Sequence, residues 1–292
     1  MAAPRPEMPP VSNRIVYVYR VLIKWLSFLV FGIGTLILAI AVFPVMSLAL
    51  RPSERFQKHA RPLVSFMMRA FVGFMSVMGG IQVEPDDRNA YRRLSSKILA
   101  ANHPSLLDVV ILFSLIPNAD CIVQASLSRH IVWGVIRRLY IPNSLDFNEL
   151  SAACIHSLAQ GNCIIIFPEG TRTPRSGELN LKKGAARLAI LSGCGIIPVH
   201  IGGTDKYGLG KHDPWWAFNH TGKYVYRLRI RQELSPEKYA GFPVPIAIKR
   251  LNADIKNLLL NPSLLAAEQI PAPSNGNRPK GRGIKPPEIK PV

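Results

Sequence analysis

Two short segments hold the residue types that can do chemistry. In Asn102-His103-Pro104-Ser105-Leu106-Leu107-Asp108 an imidazole and a carboxylate stand five positions apart. A neutral imidazole can take a proton from an alcohol. A carboxylate bonded to its other nitrogen fixes the tautomer and stabilises the imidazolium that forms. Residues five apart do not share a helix face, so His103 must lie outside the helix that carries Asp108. Pro104 supports this, because proline favours the first helical position and pushes the residue before it into an extended conformation. The expected geometry is His103 at the C-terminal end of a strand, with Asp108 reaching back from the second turn of a helix. The amides at the start of that helix are candidates for holding an oxyanion. With 7 His and 8 Asp in 292 residues, chance yields about 0.2 such pairs, so the spacing alone is weak evidence. A second pair, His200 and Asp205, straddles Gly202-Gly203 with no helical pattern after it, and is read as coincidence.

The second segment is Phe167-Pro168-Glu169-Gly170-Thr171-Arg172-Thr173, directly after the apolar run Cys163 to Ile166. Open α/β sheets place ligands in loops at the carboxyl ends of their strands. Gly170 permits a tight turn, and Arg172 offers a planar fork for a phosphate or carboxylate. Glu169 can hold either Arg172 or a substrate hydroxyl. Lys182, Lys183 and Gly184 follow at the start of a predicted helix, where exposed amides and cations together attract anions.

The elements that must position these groups follow from periodicity. Strands are predicted at Lys97–Ala101, Cys121–Gln124, Cys163–Phe167 and Ile196–Ile201. Helices are predicted at Leu106–Ile116, Arg129–Leu139, Asn148–Leu158 and Leu181–Leu191. The alternation predicts an α/β domain with a mixed, largely parallel sheet flanked by helices. Tyr224, Tyr226, Leu228 and Ile230 alternate with Val225, Arg227, Arg229 and Arg231, the pattern of a strand basic on one face, which we place at the sheet edge. Ile248, Leu251, Ile255, Leu258 and Leu259 recur at helical spacing. From Pro271 to Val292 the chain is Pro, Gly, Asn and Lys with almost no apolar content, a disordered basic tail.

Ahead of this domain, no charged residue occurs from Trp25 to Leu50, a length sufficient to cross the hydrocarbon of a bilayer. Arg20 and Lys24 precede the run, and Arg51, Arg55, Lys58 and Arg61 follow it, so charge does not set an orientation. A second apolar stretch, Leu63–Val83, is broken by Arg69 and Gly79-Gly80, and Pro44 interrupts the first. One membrane helix and a two-helix anchor lying in one leaflet both remain open. The organisation expected is a disordered start (1–14), a membrane-anchoring helical segment (15–83), a catalytic domain (84–270) and the tail (271–292).

The chain carries 36 Lys+Arg against 18 Asp+Glu, a formal charge of +18, and is 48% apolar. That rules out a chain too polar to build a core and predicts an anionic partner. Cations flanking an apolar anchor suit anionic headgroups, and no nucleic-acid module is recognisable, so nucleic acid is not expected as a partner. The four cysteines (Cys121, Cys154, Cys163, Cys194) contain no CxxC pair. They read as reduced thiols of a cytosol-facing domain, with no metal site expected.

The order NHPSLLD, FPEGTRT, LKKGAARLA and the apolar run with Pro198 resembles the glycerolipid acyltransferase family typified by bacterial 1-acylglycerol-3-phosphate acyltransferase, over about Lys97 to Ile201. The resemblance implies acyl transfer from a thioester, acyl-coenzyme A or acyl carrier protein, to a hydroxyl of a lysophospholipid. It implies no cofactor beyond that co-substrate. It makes His103 the base, Asp108 its partner, and Glu169, Gly170, Thr171 and Arg172 the acceptor loop, with Lys182 and Lys183 as further acceptor contacts. Membrane lipids and an acyl carrier protein are the implied partners. The implied location is a membrane, the inner one in a bacterium, with the catalytic domain on the cytoplasmic side. The sequence departs from the family where a third motif, carrying an arginine, should lie. Tyr140-Ile141-Pro142-Asn143 stands there, and Gln124 replaces a lysine of the preceding strand. Arg137, Arg138, Lys182 or Lys183 can substitute, or the acceptor differs from lysophosphatidate. An inactive lipid-binding protein is a further alternative, against which the presence of both His103 and Asp108 argues.

Overall fold

The computed structural model describes residues 8–50, 53–123, 141–142 and 146–260. The expected helix Arg129–Leu139, the positions Gln124, Arg137, Arg138, Tyr140 and Asn143, and the tail Pro271–Val292 lie outside them.

Helix α1 (Arg14–Ile37) is capped by Asn13, whose side chain accepts from the amides of Ile15 and Val16. A π turn over Leu38–Val42 leads into α2 (Phe43–Ala49). Pro44 explains the turn: it lacks an N–H, and its ring clashes with the carbonyl four residues back, so the ladder widens there. Helix α3 (Ser53–Val77) returns antiparallel to α1. The second apolar stretch is not helical throughout. After a turn at Gly79-Gly80 it becomes strand β1 (Ile81–Pro85), so the sheet begins three residues before the expected boundary at 84.

Then follow α4 (Arg88–Arg93), β2 (Ile98–Ala101), α5 (Asp108–Leu115), β3 (Ala119–Val123), β4 (Ile141–Pro142), α6 (Phe147–Ala159) and β5 (Cys163–Ile166). The chain continues with α7 (Gly184–Ser192), β6 (Ile196–Gly203), β7 (Tyr224–Ile230) and α8 (Val244–Leu260). The strand order is β1-β7-β6-β2-β5-β3-β4; β6 and β7 are antiparallel and the other neighbours parallel. The predicted mixed, largely parallel sheet is present. The edge placement of Tyr224–Ile230 is overturned, because β1 covers that strand. Its basic side chains meet β1: Arg227 Nε lies 3.1 Å from Glu84 Oε2, and Arg229 Nη1 donates to the Glu84 carbonyl. A neighbouring strand with a carboxylate satisfies charged groups as water would, so the basic alternation is the same in either place.

Strands β2 and β5 are buried on both faces, which is why their sequences are continuous apolar runs. Leu99, Ala101 and Ile165 face a layer of α3 and α5. Ile98, Ala100, Ile164 and Ile166 face α6, α7 and α8. The helical spacing in α8 is confirmed, with Leu251, Ile255 and Leu259 in that second layer. Cys121, Cys154 and Cys163 are buried and all four cysteines are unpaired.

Candidate active site

Strand β2 ends against β6 through Asn102, whose side chain donates to the Ile201 carbonyl (2.9 Å) and accepts from its amide (2.7 Å). This delivers His103 to the carboxyl edge of the sheet. Its Nδ1 lies 2.8 Å from Asp108 Oδ2, and its ring stacks on Phe167 with centroids 4.2 Å apart. The His103 side chain is 17% exposed while that of Asp108 is fully buried. No described residue hydrogen-bonds to the other ring nitrogen, Nε2, so the ring has one atom oriented by protein and one available to a substrate.

The expected route to this contact needs correction. Helix α5 begins at Asp108 itself, so the carboxylate sits in the first turn, and Pro104–Leu107 forms a turn before the helix. Its amides are also engaged. That of Ser105 donates to Asp108 Oδ2 (2.7 Å), that of Leu106 to the Leu209 carbonyl (3.1 Å), and that of Leu107 to Ser105 Oγ (3.2 Å). They are not free oxyanion donors in this conformation.

Asp108 accepts three hydrogen bonds: from His103, from the Ser105 amide, and from Ser105 Oγ to Oδ1 at 2.7 Å. Ser105 Oγ is also 2.9 Å from Tyr226 Oη on β7. A buried carboxylate needs such partners. The sequence reading assigned nothing to Ser105 or Tyr226. Ser105-x-x-Asp108 before an apolar run is a capping-box pattern and was a usable signal. Tyr226 carried none, standing 121 residues away.

The second segment folds against the first. Thr173 Oγ1 accepts from the His103 amide (2.9 Å), and the Thr173 amide donates to the His103 carbonyl (2.7 Å). Glu169, of the two roles open to it, holds neither Arg172 nor a visible substrate position. It is buried, accepting from the His103 amide at 3.3 Å and from the Thr173 hydroxyl. Burial holds its carboxyl above the usual range, against the pull of those two bonds. Gly170 has φ +66°, the left-handed region that favours glycine. Thr171, Lys182 and Lys183 are exposed, and Lys183 is the cap residue of α7, which starts three residues later than Leu181. Arg172 Nη1 donates to the carbonyls of Leu209 (3.0 Å) and Gly210 (2.9 Å). A cavity of about 270 Å³ opens beside the two segments, bordered by Asn102, Pro104, Thr173, Arg175 and His200. Asp205 there is 3.1 Å from Arg175 Nε.

Residues 81–202, which contain both segments, match the family model described as Acyltransferase. Over these residues the chain is similar to the acyltransferase family. It is 27% identical over 150 residues to a 1-acyl-sn-glycerol-3-phosphate acyltransferase of Borreliella burgdorferi, covering 48% of this chain and 59% of that protein. It is 30% identical over 161 residues to an uncharacterised acyltransferase of Schizosaccharomyces pombe, covering 52% and 57%. A 1-acyl-sn-glycerol-3-phosphate acyltransferase of Cocos nucifera is 30% identical over 119 residues, 37% of each chain. The matches thus span between 37% and 59% of the length of these relatives. The crystal structure of the 1-acyl-sn-glycerophosphate acyltransferase PlsC of Thermotoga maritima superposes with a TM-score of 0.61, at 21% identity, over 83% of this chain and 97% of that one. At that identity the likeness is one of fold, helices around a mixed sheet.

Proposed function

We propose that this chain transfers a fatty acyl group from a thioester, acyl-coenzyme A or acyl carrier protein, to the free hydroxyl of a lysophospholipid of the 1-acylglycerol-3-phosphate type. The observation that carries the proposal is His103 Nδ1 held 2.8 Å from a buried, three-donor carboxylate, directly against the FPEGTRT loop. In this reading His103 Nε2 takes the hydroxyl proton as the oxygen attacks the thioester carbonyl. Asp108 stabilises the imidazolium. The tetrahedral intermediate then collapses, the C–S bond breaks, and the imidazolium returns the proton to the departing thiolate. A thioester is reactive enough that orientation and one base suffice. Thr171, Arg172, Lys182 and Lys183 face the polar head of the acceptor.

The reading includes a membrane-associated protein whose α1–α3 hairpin lies in one leaflet. The helical run Arg14–Ala49, 36 residues, is long and apolar enough to cross a membrane. Supporting the in-plane arrangement, Phe31 packs on Phe71 and Phe43 on Phe56, while the other side of α3 is bonded to the sheet domain. Arg61 donates to both oxygens of Asp120, at 2.7 and 2.9 Å, and Arg69 donates to the Ser114 carbonyl. A crossing by Trp25–Phe43 would carry these charges into hydrocarbon, at a cost of several kcal/mol each. Four unpaired cysteines favour the cytosolic face. The test is a panel of lysolipids against both thioester donors, reading free thiol. Thiol release requiring lysophosphatidate and lost in His103→Ala is expected; release with another acceptor alone, or retained in His103→Ala, overturns the assignment.

A further inference from the structure

The connection between β6 and β7 touches both motif segments and α1. At its near end the Leu209 carbonyl accepts from both signature segments, the Leu106 amide (3.1 Å) and Arg172 Nη1 (3.0 Å). At its far end it runs along the first turns of α1. The His220 ring meets Tyr17 edge-on, and the carbonyls of Trp215 and Ala217 accept from Lys24 Nζ. Between them Asp213 and Gly208 brace the loop. Asp213 Oδ2 accepts from the amides of Gly208 (3.1 Å) and Gly210 (3.0 Å). Gly208 has φ +89°, and a Cβ there would stand 2.0 Å from the Ala217 carbonyl oxygen.

This braced loop presents two tryptophans to solvent. Trp215 is 63% and Trp216 60% exposed. They form an edge-to-face chain with Trp25 of α1, with centroids 4.9 Å apart between Trp25 and Trp215 and 5.6 Å between Trp215 and Trp216. Three of the protein's four tryptophans therefore share one exposed patch. The patch adjoins the exposed apolar stripe of α1, Leu22, Leu29, Ile33 and Ile37. Exposed Lys211 precedes the pair. Indole rings with an apolar body and a donor N–H favour the headgroup level of a bilayer, and cations beside them favour anionic lipid.

We propose that Trp215 and Trp216 seat the β6–β7 loop in the lipid–water interface, as a second membrane contact beside α1. Through Leu209 the loop holds His103's turn and the acceptor loop at a fixed height above that surface. The proposal rests on the membrane-associated reading above and adds a residue-level contact to it.

The test uses the full chain with Trp25→Phe and Trp133→Phe, leaving the pair as the sole indoles, on vesicles of phosphatidylcholine and phosphatidylglycerol with acyl chains brominated at shallow or deep positions. The protein should float with the vesicles and its emission should shift to the blue, with roughly twofold stronger quenching by shallow than by deep bromine, as headgroup-level indoles require. Flotation with emission quenched by aqueous iodide and by neither lipid overturns the loop contact and leaves the membrane reading standing. Failure to float overturns both. In a second measurement, Trp215→Ser with Trp216→Ser should raise the apparent KM for vesicle-embedded lysolipid by roughly tenfold, about the worth of a lost interfacial anchor. An unchanged KM removes the positioning role.

Discussion

At the scale of single residues, the site is a buried carboxylate surrounded by donors and an imidazole turned outward. His103→Ala should abolish acyl transfer while leaving the melting curve intact, since the ring is partly exposed and its backbone makes the fold contacts. Asp108→Asn should lower turnover by about 10⁴ through loss of the orienting charge, measured as initial thiol release. Ser105→Ala removes a donor to a buried carboxylate and should cost about 1.5–3 kcal/mol of stability together with activity. Tyr226→Phe leaves the Ser105–Asp108 bond in place and should cost about 1 kcal/mol with little loss of rate. Glu169 supplies a pH test. Burial raises its carboxyl in the fold, so the native state favours the protonated form, and that advantage is lost as pH rises through the raised value. Glu169→Gln keeps an acceptor for the His103 amide and the Thr173 hydroxyl. It should melt higher than the parent at neutral pH, with the gap closing in acid.

At the scale of elements, the Arg61–Asp120 pair joins the α1–α3 hairpin to the sheet, and Asp120 also accepts from Ser157 on α6. Both side chains are buried. Arg61→Met alone leaves an uncompensated charge and should cost about 3–5 kcal/mol in denaturant unfolding, whereas Arg61→Met with Asp120→Leu should recover most of it. In the sequence Arg61 looked like one more flanking cation, because charge counting cannot see a partner 59 residues away. Strands β2, β5 and β6 were legible since burial on both faces demands unbroken apolar runs. Strand β1 was not: Ile81-Gln82-Val83-Glu84-Pro85 straddles the end of an apolar stretch and the start of a polar one. Missing β1 made β7 look like an edge.

At the scale of the whole molecule, burial pushes three thiols well above their ordinary value, to about 12 for Cys121 and Cys154 and about 11 for Cys163. Cys194 is partly exposed. Alkylation of the native protein at mildly alkaline pH, read by intact mass, should add one group rapidly, and four only after unfolding. The sequence by itself determined that His103 and Asp108 stand at a strand-to-helix junction, that a glycine-bearing loop follows Cys163–Ile166, the strand and helix alternation and an apolar front. Each is a matter of local composition or of spacing within a few residues. Only the tertiary structure decided that Tyr226 meets the Ser105 hydroxyl that bonds Asp108, that Arg172 leans on the β6–β7 loop, and that α3 ties the N-terminal hairpin to the sheet domain. Those contacts join residues 37, 59 and 121 positions apart. Their energies depend on burial and direction, which no periodicity along the chain encodes.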